Sequence, residues 1–420
     1  MMEPITVVKG FKDILPEESR NWQKIEQFAR KIFGDFGFLE IRLPILEKTE
    51  LFTRGIGDTT DIVEKEMYTF SDRGGERLTL RPEATASVLR AYIEHNLYNR
   101  NAVTRLFTIG PMFRRERPQK GRYRQFHQIN VEVLGADDPR IDAEVILMLV
   151  HFLRGVGLGN LNLDINSLGC SECRAIFRER VIAFLRDTEG DLCADCRRRL
   201  HANPLRVFDC KNETCARIIE DAPNILDFIC NDCRNHFERV QSSLELFGLP
   251  YRINHRMVRG LDYYTRTTFE VTIPDMGAQN AVVGGGRYDG LVRDLGGPDI
   301  PGIGFAVGFE RLMALLPEEQ NEPPAEPLLF VAALGDKAQE YAFSLCNRLR
   351  LRGVQAEMDY TGKSLKSQMK KANKLSSPYT LILGEREMES GQGELRDMRS
   401  SSQRSIPLDR LEDTLMELGK

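Results

Sequence analysis

The residues best suited to do chemistry are concentrated between Thr104 and Gly135, in the stretch TRLFTIGPMFRRERPQKGRYRQFHQINVEVLG. Its second half alternates. Ile129, Val131 and Val133 fall on one face and Phe126, Gln128, Asn130 and Glu132 on the other, the period of a strand with one buried side. In the first half Arg114 and Glu116 share a face, and the segment between the halves adds Arg117, Lys120, Arg122 and Arg124 around Gly121. The pattern predicts two antiparallel strands joined by a basic loop. Their polar face would gather arginine, carboxylate, amide and aromatic groups, and planar guanidinium groups at this density suit bidentate contacts to phosphate. The plainer reading is a one-sided sheet with its polar face in solvent, but such a face usually carries Lys, Thr and Glu.

A second concentration is of cysteine. Eight of the nine cysteines lie in four short pairs, Cys170/Cys173, Cys193/Cys196, Cys210/Cys215 and Cys230/Cys233. Each short pair can chelate one ion from a single turn. Taken in order, the first four have the spacing of one tetrahedral thiolate zinc site and the last four of another. Buried free thiols or redox pairs are the alternatives. Four thiolates per ion leave no open position, so zinc here would be structural.

These groups must be positioned by elements drawn from a chain of 420 residues, enough for two or three domains. Charged residues make up 29% and the net charge is only −4, so a nucleic-acid partner would have to be met by local basic patches. The first residues, MMEPITVVKGFKDILPEE, lack the apolar run of a signal peptide and no segment approaches a membrane span. A cytoplasmic protein with reduced cysteines is expected.

Pro16 to Phe33 carries Trp22, Ile25, Phe28, Ala29 and Ile32 at helical spacing, and an extended segment from Phe38 to Leu46 is broken by Pro44, which belongs on a sheet edge or at a bulge. A hairpin, Met67–Phe70 with Arg77–Leu80, leads into Arg81-Pro82-Glu83-Ala84-Thr85, where Pro82 suits the first turn of a helix. Glu83 is then either helix-start electrostatics or a ligand for a cation. A helix is expected from Asp142 to Gly155.

Beyond the cysteines, Arg259-Gly260-Leu261-Asp262-Tyr263-Tyr264 precedes a strand from Thr268 to Ile273, Gly284 to Gly290 follows another, and Gly302 to Leu312 passes from strand to helix with Arg311 early in it. Neither the dinucleotide fingerprint nor a Walker A loop is present. A proline- and glutamate-rich linker, Pro317 to Pro327, separates a small α/β domain whose second helix bears Lys363, Lys366, Lys370, Lys371 and Lys374.

Together these pieces resemble the histidyl-tRNA synthetases of bacterial type, a family of class II aminoacyl-tRNA synthetases. The hairpin resembles motif 2, Gly302 to Leu312 motif 3, and the Pro44 region the dimer-forming motif 1. Arg259 to Tyr264 and Gly285-Gly286-Arg287-Tyr288-Asp289-Gly290-Leu291 resemble the family's two histidine signatures.

The resemblance implies an α+β fold. A catalytic core built on an antiparallel sheet (1–166 and 251–321) would be split by a cysteine-rich insertion (167–250) and followed by an α/β anticodon-binding domain (327–420). It implies ATP-dependent ligation of L-histidine to the 3′ end of tRNA(His) through a histidyl-adenylate, with Mg²⁺, by a homodimer. Arg114 and Arg259 match the catalytic arginines at the α-phosphate, and Glu116, Arg122, Phe126 and Arg311 match further ATP contacts. Glu83, Thr85 and Gln128 match residues that hold the amino group, Glu132 and Tyr264 those that read the imidazole, with Tyr263 beside them. The family's chemistry does not need zinc, so the cysteine array is not explained by the resemblance.

Two other readings are a non-catalytic regulatory paralogue of the histidine-biosynthetic phosphoribosyltransferase and a zinc-ribbon nucleic-acid-binding protein. The first tends to lose the catalytic arginines and lacks the last domain. The second leaves the converging arginines and carboxylates without a purpose.

Overall fold

In this computed structural model the described residues are 3–57, 60–119, 121–273, 281–316 and 327–418. The chain divides into two compact units, Met1–Gln320 and Asn321–Lys420.

The first unit is built on a sheet of eight strands among the described residues. Its central strands are Thr104–Phe113, Gln125–Leu134, Gly302–Gly308, Ala281–Arg287, Thr265–Thr272 and Asn162–Ser167, all antiparallel. The short strands Leu39–Glu40 and Arg252–Ile253 close the two edges in parallel. The hairpin is therefore as its alternation predicts, and one of its faces is core. Ile129, Val131 and Val133 are buried with Phe305, Val307 and the helices Pro16–Asp35 and Pro139–Gly155, because an apolar strand face and an apolar helix stripe each need the other to leave water.

The other face carries small residues at its centre. In register, Gly304 lies opposite both Glu132 and Gly286, and Ala306 opposite Gly284. The sheet floor here is thus bare backbone. A β-carbon on Gly304 would lie 1.9 Å from the Glu132 carboxylate, and one on Gly284 would lie 1.9 Å from the Arg259 guanidinium. These glycines are sites of close approach.

Two expectations are corrected. Phe38 to Leu46 is not one strand: Leu39–Glu40 joins the large sheet, while Leu46–Lys48 joins a small sheet with Arg77–Leu80 and Tyr68–Ser71. Pro44 lies in the irregular stretch between them, since it cannot supply a ladder donor. Nor is Pro82 in a helix. The helix is Thr85–Glu94, and the Glu83 carboxylate accepts from the backbone N–H groups of Thr85 and Ala86 at 2.7 and 2.9 Å, satisfying donors that the first turn leaves free.

Between Ser167 and Arg252 the chain is helical. Ser171–Arg186, Ala194–Ala202 and Glu213–Glu220 surround a separate apolar cluster that includes Phe177, Val181, Leu200 and Ile219. The last helix, Asn231–Leu246, gives Cys233 to that cluster and Phe237, Val240 and Leu244 to the main core.

The second unit has a five-stranded sheet among its described residues, ordered Ala356–Met358, Leu329–Ala333, Tyr379–Leu383, Gln392–Asp397 and Gln403–Pro407. The first three are parallel and the last two antiparallel. Helices Asp336–Leu351 and Leu365–Lys374 pack on it. The linker's residues 317–326 and Lys120 lie outside the described residues.

Candidate active site

Over the bare floor lies a cavity of about 320 Å³. The histidine and ATP candidates all face it, from Glu83 and Thr85 at the start of a helix to Arg311 at the start of another; of the other loop cations, Arg117 and Arg124 do not line it, Arg124 donating instead to the Glu116 and Lys9 carbonyls. The candidates that face it arrive from four places in sequence: the helix start, the two hairpin strands with their loop, the segment 259–264, and the strand-to-helix turn at Gly308; the Thr265–Thr272 strand adds Glu270. That convergence requires the antiparallel sheet.

The cavity has two chemically different ends. At one, Glu132 is fully buried and accepts a 2.7 Å hydrogen bond from the Thr85 hydroxyl and a second from the Tyr288 hydroxyl. Burial pushes its carboxyl up to about 8 despite those hydrogen bonds, and the neighbouring Glu83 charge adds to the shift. Glu83 is raised by burial too, opposed by the N–H groups of Ala86 and Thr85 and by Arg114. Tyr263 and Tyr264 pack 4.7 Å apart between centroids, and Tyr263 lies edge-on to Tyr288 at 5.7 Å. This end is enclosed, aromatic and acidic.

The other end is a guanidinium cluster. Arg114 donates to the Pro82 carbonyl at 2.8 Å and lies over the Phe126 ring at 5.3 Å. Arg122 pairs with Glu116 at 3.0 Å, and Arg311 donates to the Ala281 carbonyl at 2.7 Å. Burial lowers the Arg311 pKa, and the charges of Arg122 and Arg114 lower it further. Like charges held together in a cavity this way attract a polyanion. Arg259 stands between the ends, over the Tyr264 ring at 5.4 Å and 3.5 Å from Glu270.

Among the described residues, three buried polar atoms around this cavity have no hydrogen-bond partner: Gln128 Oε1, Asn130 Oδ1 and Arg259 Nε. Leaving such atoms unmet is costly in a finished interior, and a polar ligand would meet them.

Sequence reasoning passed over Tyr288, Glu270, Asn130 and Glu310. Tyr288 sits inside the second glycine-rich signature, and Asn130 on the polar face of the hairpin, so both had a signal. Glu270 had only a lone charge in an apolar strand. Glu310 accepts from the His127 backbone N–H at 2.9 Å and meets its ring nitrogen at 3.0 Å, tying the last strand's helix to the hairpin. Arg287 does not face the cavity. It is wholly buried and ion-paired to Asp142, donates to the Ala136 carbonyl at 3.0 Å and to Asp289 at 3.1 Å, and so braces the signature from behind.

The structure also corrects the grouping of the cysteines. Taken in order, Cys170, Cys173, Cys193 and Cys196 were to form one set and Cys210, Cys215, Cys230 and Cys233 the other. Instead Cys170 and Cys173 meet Cys230 and Cys233, while Cys193 and Cys196 meet Cys210 and Cys215. The pairs are nested because the starts of the helices from Ser171 and Asn231 meet at their cysteines, where the Cys230 N–H donates to the Cys173 sulfur, while those from Ala194 and Glu213 meet in the intervening chain, where the Cys193 N–H donates to the Cys215 sulfur.

An antiparallel sheet with a phosphate-suited arginine cluster beside an enclosed acidic pocket, followed by a separate α/β unit, defines a class II aminoacyl-tRNA synthetase. A family model described as "Histidyl-tRNA synthetase" matches residues 10–181 and 212–312, and one described as "Anticodon binding domain" matches residues 329–418. The segment between the first two matches carries Cys193, Cys196 and Cys210.

The chain is 54% identical to a histidine–tRNA ligase of Syntrophotalea carbinolica over 98% of both chains. It is 57% identical to that of Geobacter metallireducens, over 96% of this chain and 98% of the other. Among solved structures, the apo histidyl-tRNA synthetase of S. aureus superposes with a TM-score of 0.82 at 38% identity, covering 98% of this chain and all of that one. A Bacillus halodurans C structure titled as an ATP phosphoribosyltransferase regulatory subunit/histidyl-tRNA synthetase shares the fold, with a TM-score of 0.64 at 20% identity over 91% of this chain and 98% of that one. The chain belongs to the histidyl-tRNA synthetase family.

Proposed function

We propose that the chain ligates L-histidine to the 3′ end of tRNA(His) in two steps, through a histidyl-adenylate. The observation that carries this reading is the two-ended cavity: an enclosed acidic pocket sized for one small cationic molecule opens onto a guanidinium cluster suited to a triphosphate.

In the first step a carboxylate oxygen of histidine attacks the α-phosphorus of ATP and pyrophosphate leaves. Two anions must meet, so fixed cations at the reacting phosphate contribute most. Arg114 and Arg259 hold the α-phosphate from its two sides, Arg122 and Arg311 the outer phosphates, and Phe126 stacks on adenine while Glu116 orients the Arg122 guanidinium. Glu116, Glu270 and Glu310 line this side of the cavity; Glu310 is held by His127, which leaves Glu116 and Glu270 as the oxygen donors a hard Mg²⁺ accepts. Mg²⁺ would neutralise phosphate charge there.

Glu83 neutralises the histidine ammonium, with Thr85 and Gln128 beside it. Glu132, Tyr264 and Tyr263 read the imidazole nitrogens. An apolar side chain of similar size would leave unmet the polar groups that Glu132, Tyr263 and Tyr264 present to the ligand, and a site built on such hydrogen bonds discriminates by about 10⁴-fold or more. In the second step the terminal tRNA hydroxyl attacks the adenylate carbonyl and AMP leaves.

We read 167–250 as an insertion in the catalytic domain and 327–420 as the domain that meets the anticodon, where the exposed Lys366, Lys370 and Lys374 recur every four residues on one helix. The exposed Leu39, Ile45 and Leu46 on the extended segment around Pro44 favour a homodimer joined there; a monomeric mass in sedimentation equilibrium would contradict it.

The test of the catalytic reading is exchange of labelled pyrophosphate into ATP. It should depend on histidine alone among the amino acids and fall by about two to three orders of magnitude in Arg259→Ala. Absence of exchange in the folded wild-type protein would overturn the enzyme reading and bring forward the regulatory paralogue.

A further inference from the structure

The eight paired cysteines have no part in the chemistry just described, yet their sulfurs are gathered into two sets in which every sulfur lies within 4.8 Å of the others. Cys170 and Cys173 are 3.5 Å apart at sulfur, and Cys193 and Cys210 3.8 Å. A disulfide would hold two sulfurs at about 2.0 Å. Four thiolates about 2.3 Å from one ion at a tetrahedron's centre stand about 3.8 Å from each other. A multi-iron cluster would interpose its own atoms and hold its cysteines further apart, so the spacing fits a single ion.

The local structure supports both sets in the same way. Cys173, Cys196, Cys215 and Cys233 each occupy the third position of a helix, those beginning at Ser171, Ala194, Glu213 and Asn231, and all four are buried. Cys170, Cys193 and Cys230 are the residues that cap three of those helices. Each set therefore stands at the positive ends of two helices, which offset the excess negative charge of four thiolates around a dication. Backbone N–H groups are already aimed at sulfur: Cys230 N–H at Cys173, 3.0 Å, and Cys193 N–H at Cys215, 3.2 Å. Such hydrogen bonds orient metal-bound thiolates.

The nested sets enclose the residues that hold the segment 259–264. Arg174, directly after Cys173, donates to the carbonyls of Asp262 and Tyr264 at 3.1 and 2.9 Å. Asn203 and Arg206, inside the loop that the inner set closes, donate to the Asp262 carboxylate at 2.9 Å and the Gly260 carbonyl at 2.8 Å. Tyr264 itself is buried in the same apolar cluster as Cys173, Cys196, Cys215 and Cys233.

We propose that the insertion carries two closed zinc sites, Cys170/Cys173/Cys230/Cys233 and Cys193/Cys196/Cys210/Cys215, and that they fix the platform on which residues 259–264 rest. Soft thiolates in a tetrahedron select zinc, and a filled set of four sulfurs leaves no position for substrate. The ions act on catalysis by positioning: they hold the segment that bears Arg259, Tyr263 and Tyr264, a role that rests on the active-site reading above, whereas the metal sites stand independently of it.

The first experiment is elemental analysis of the full chain purified under reducing conditions without chelator. Two zinc ions per chain are expected. Eight freely titrating thiols with no metal, or iron in place of zinc, would overturn the sites. The grouping is tested by paired variants: Cys170→Ser with Cys230→Ser should leave one zinc, while Cys170→Ser with Cys193→Ser should leave none. The reverse pattern would overturn the nesting. Should these variants fail to fold, a limiting chelator followed by alkylation reads the same grouping in the unaltered protein, since thiols freed together belong to one site. For the platform, hydrogen exchange with and without chelator should show peptides spanning 257–266 losing protection while the strand Leu329–Ala333 does not. Unchanged protection at 257–266 in zinc-free protein would overturn the positioning role. Because neither readout involves histidine or ATP, failure here is distinct from failure of the aminoacylation reading.

Discussion

Glu132 gives the sharpest quantitative test, because its burial has consequences in the empty protein. The folded chain holds its proton up to about 8 rather than near 4.5. Unfolding therefore releases a proton across that window, and this group's contribution makes stability fall as pH rises through it. At about 1.4 kcal/mol per pH unit, the penalty is absent below about pH 4.5, about 3 kcal/mol at pH 7 and about 5 kcal/mol once the group is fully ionised.

Glu132→Gln removes the titration while keeping the shape and an oxygen that can accept from Thr85 or Tyr288. The amide's own burial cost returns part of the gain, so the expected stabilisation is about half those values, about 1.5 kcal/mol at pH 7 and about 2.5 kcal/mol at pH 9. The chain has one tryptophan, Trp22, stacked on Phe309 at 4.2 Å, so its fluorescence during urea unfolding reports the unit that holds the site. Wild type and variant should diverge from pH 5 to pH 9. The variant should also lose histidine-dependent pyrophosphate exchange, stability and activity moving in opposite directions. Parallel pH profiles for the two proteins would refute the argument that Glu132 is held protonated by burial.

Gly284→Ala should lower pyrophosphate exchange by about two orders of magnitude with little change in thermal midpoint, because the three atoms nearest the added β-carbon all belong to the Arg259 guanidinium, the far end of a flexible side chain. Arg287→Met should do the opposite in the first instance. It leaves Asp142 buried without its ion-pair partner, which costs about 3–5 kcal/mol in urea unfolding, and adding Asp142→Asn should recover part of the loss. Replacing Lys366 and Lys370 by Glu should raise KM for tRNA and flatten its salt dependence, while pyrophosphate exchange, which needs no tRNA, stays at the wild-type rate.

The catalytic hairpin was legible because a strand's period of two is written locally: Ile129, Val131 and Val133 could only be core if Gln128, Asn130 and Glu132 faced elsewhere. The same holds for the helix that buries Trp22, Ile25 and Ala29. The start of the helix after Pro82 was misjudged, since the Glu83 side chain supplies the acceptors from outside the first turn and the helix needs no proline at its first position. In the last unit the strands Leu329–Ala333 and Tyr379–Leu383 were visible as apolar runs. Gln392–Asp397 and the edge strand Gln403–Pro407, both rich in polar residues, carried no such signal.

By itself the sequence determined the residue types at the site, their alternation, and the cysteine knuckles, all properties of short stretches whose geometry is set by the backbone period. Only the tertiary structure decided which knuckles come together, since a short cysteine pair can be half of a tetrahedral site and spacing alone makes every other half an equal partner. Likewise Glu132 is an ordinary carboxylate in the sequence. Burial at the site where Gly304 opposite leaves room for it pushes it up to about 8, with the Glu83 charge adding to the shift and the hydrogen bonds from Thr85 and Tyr288 opposing it.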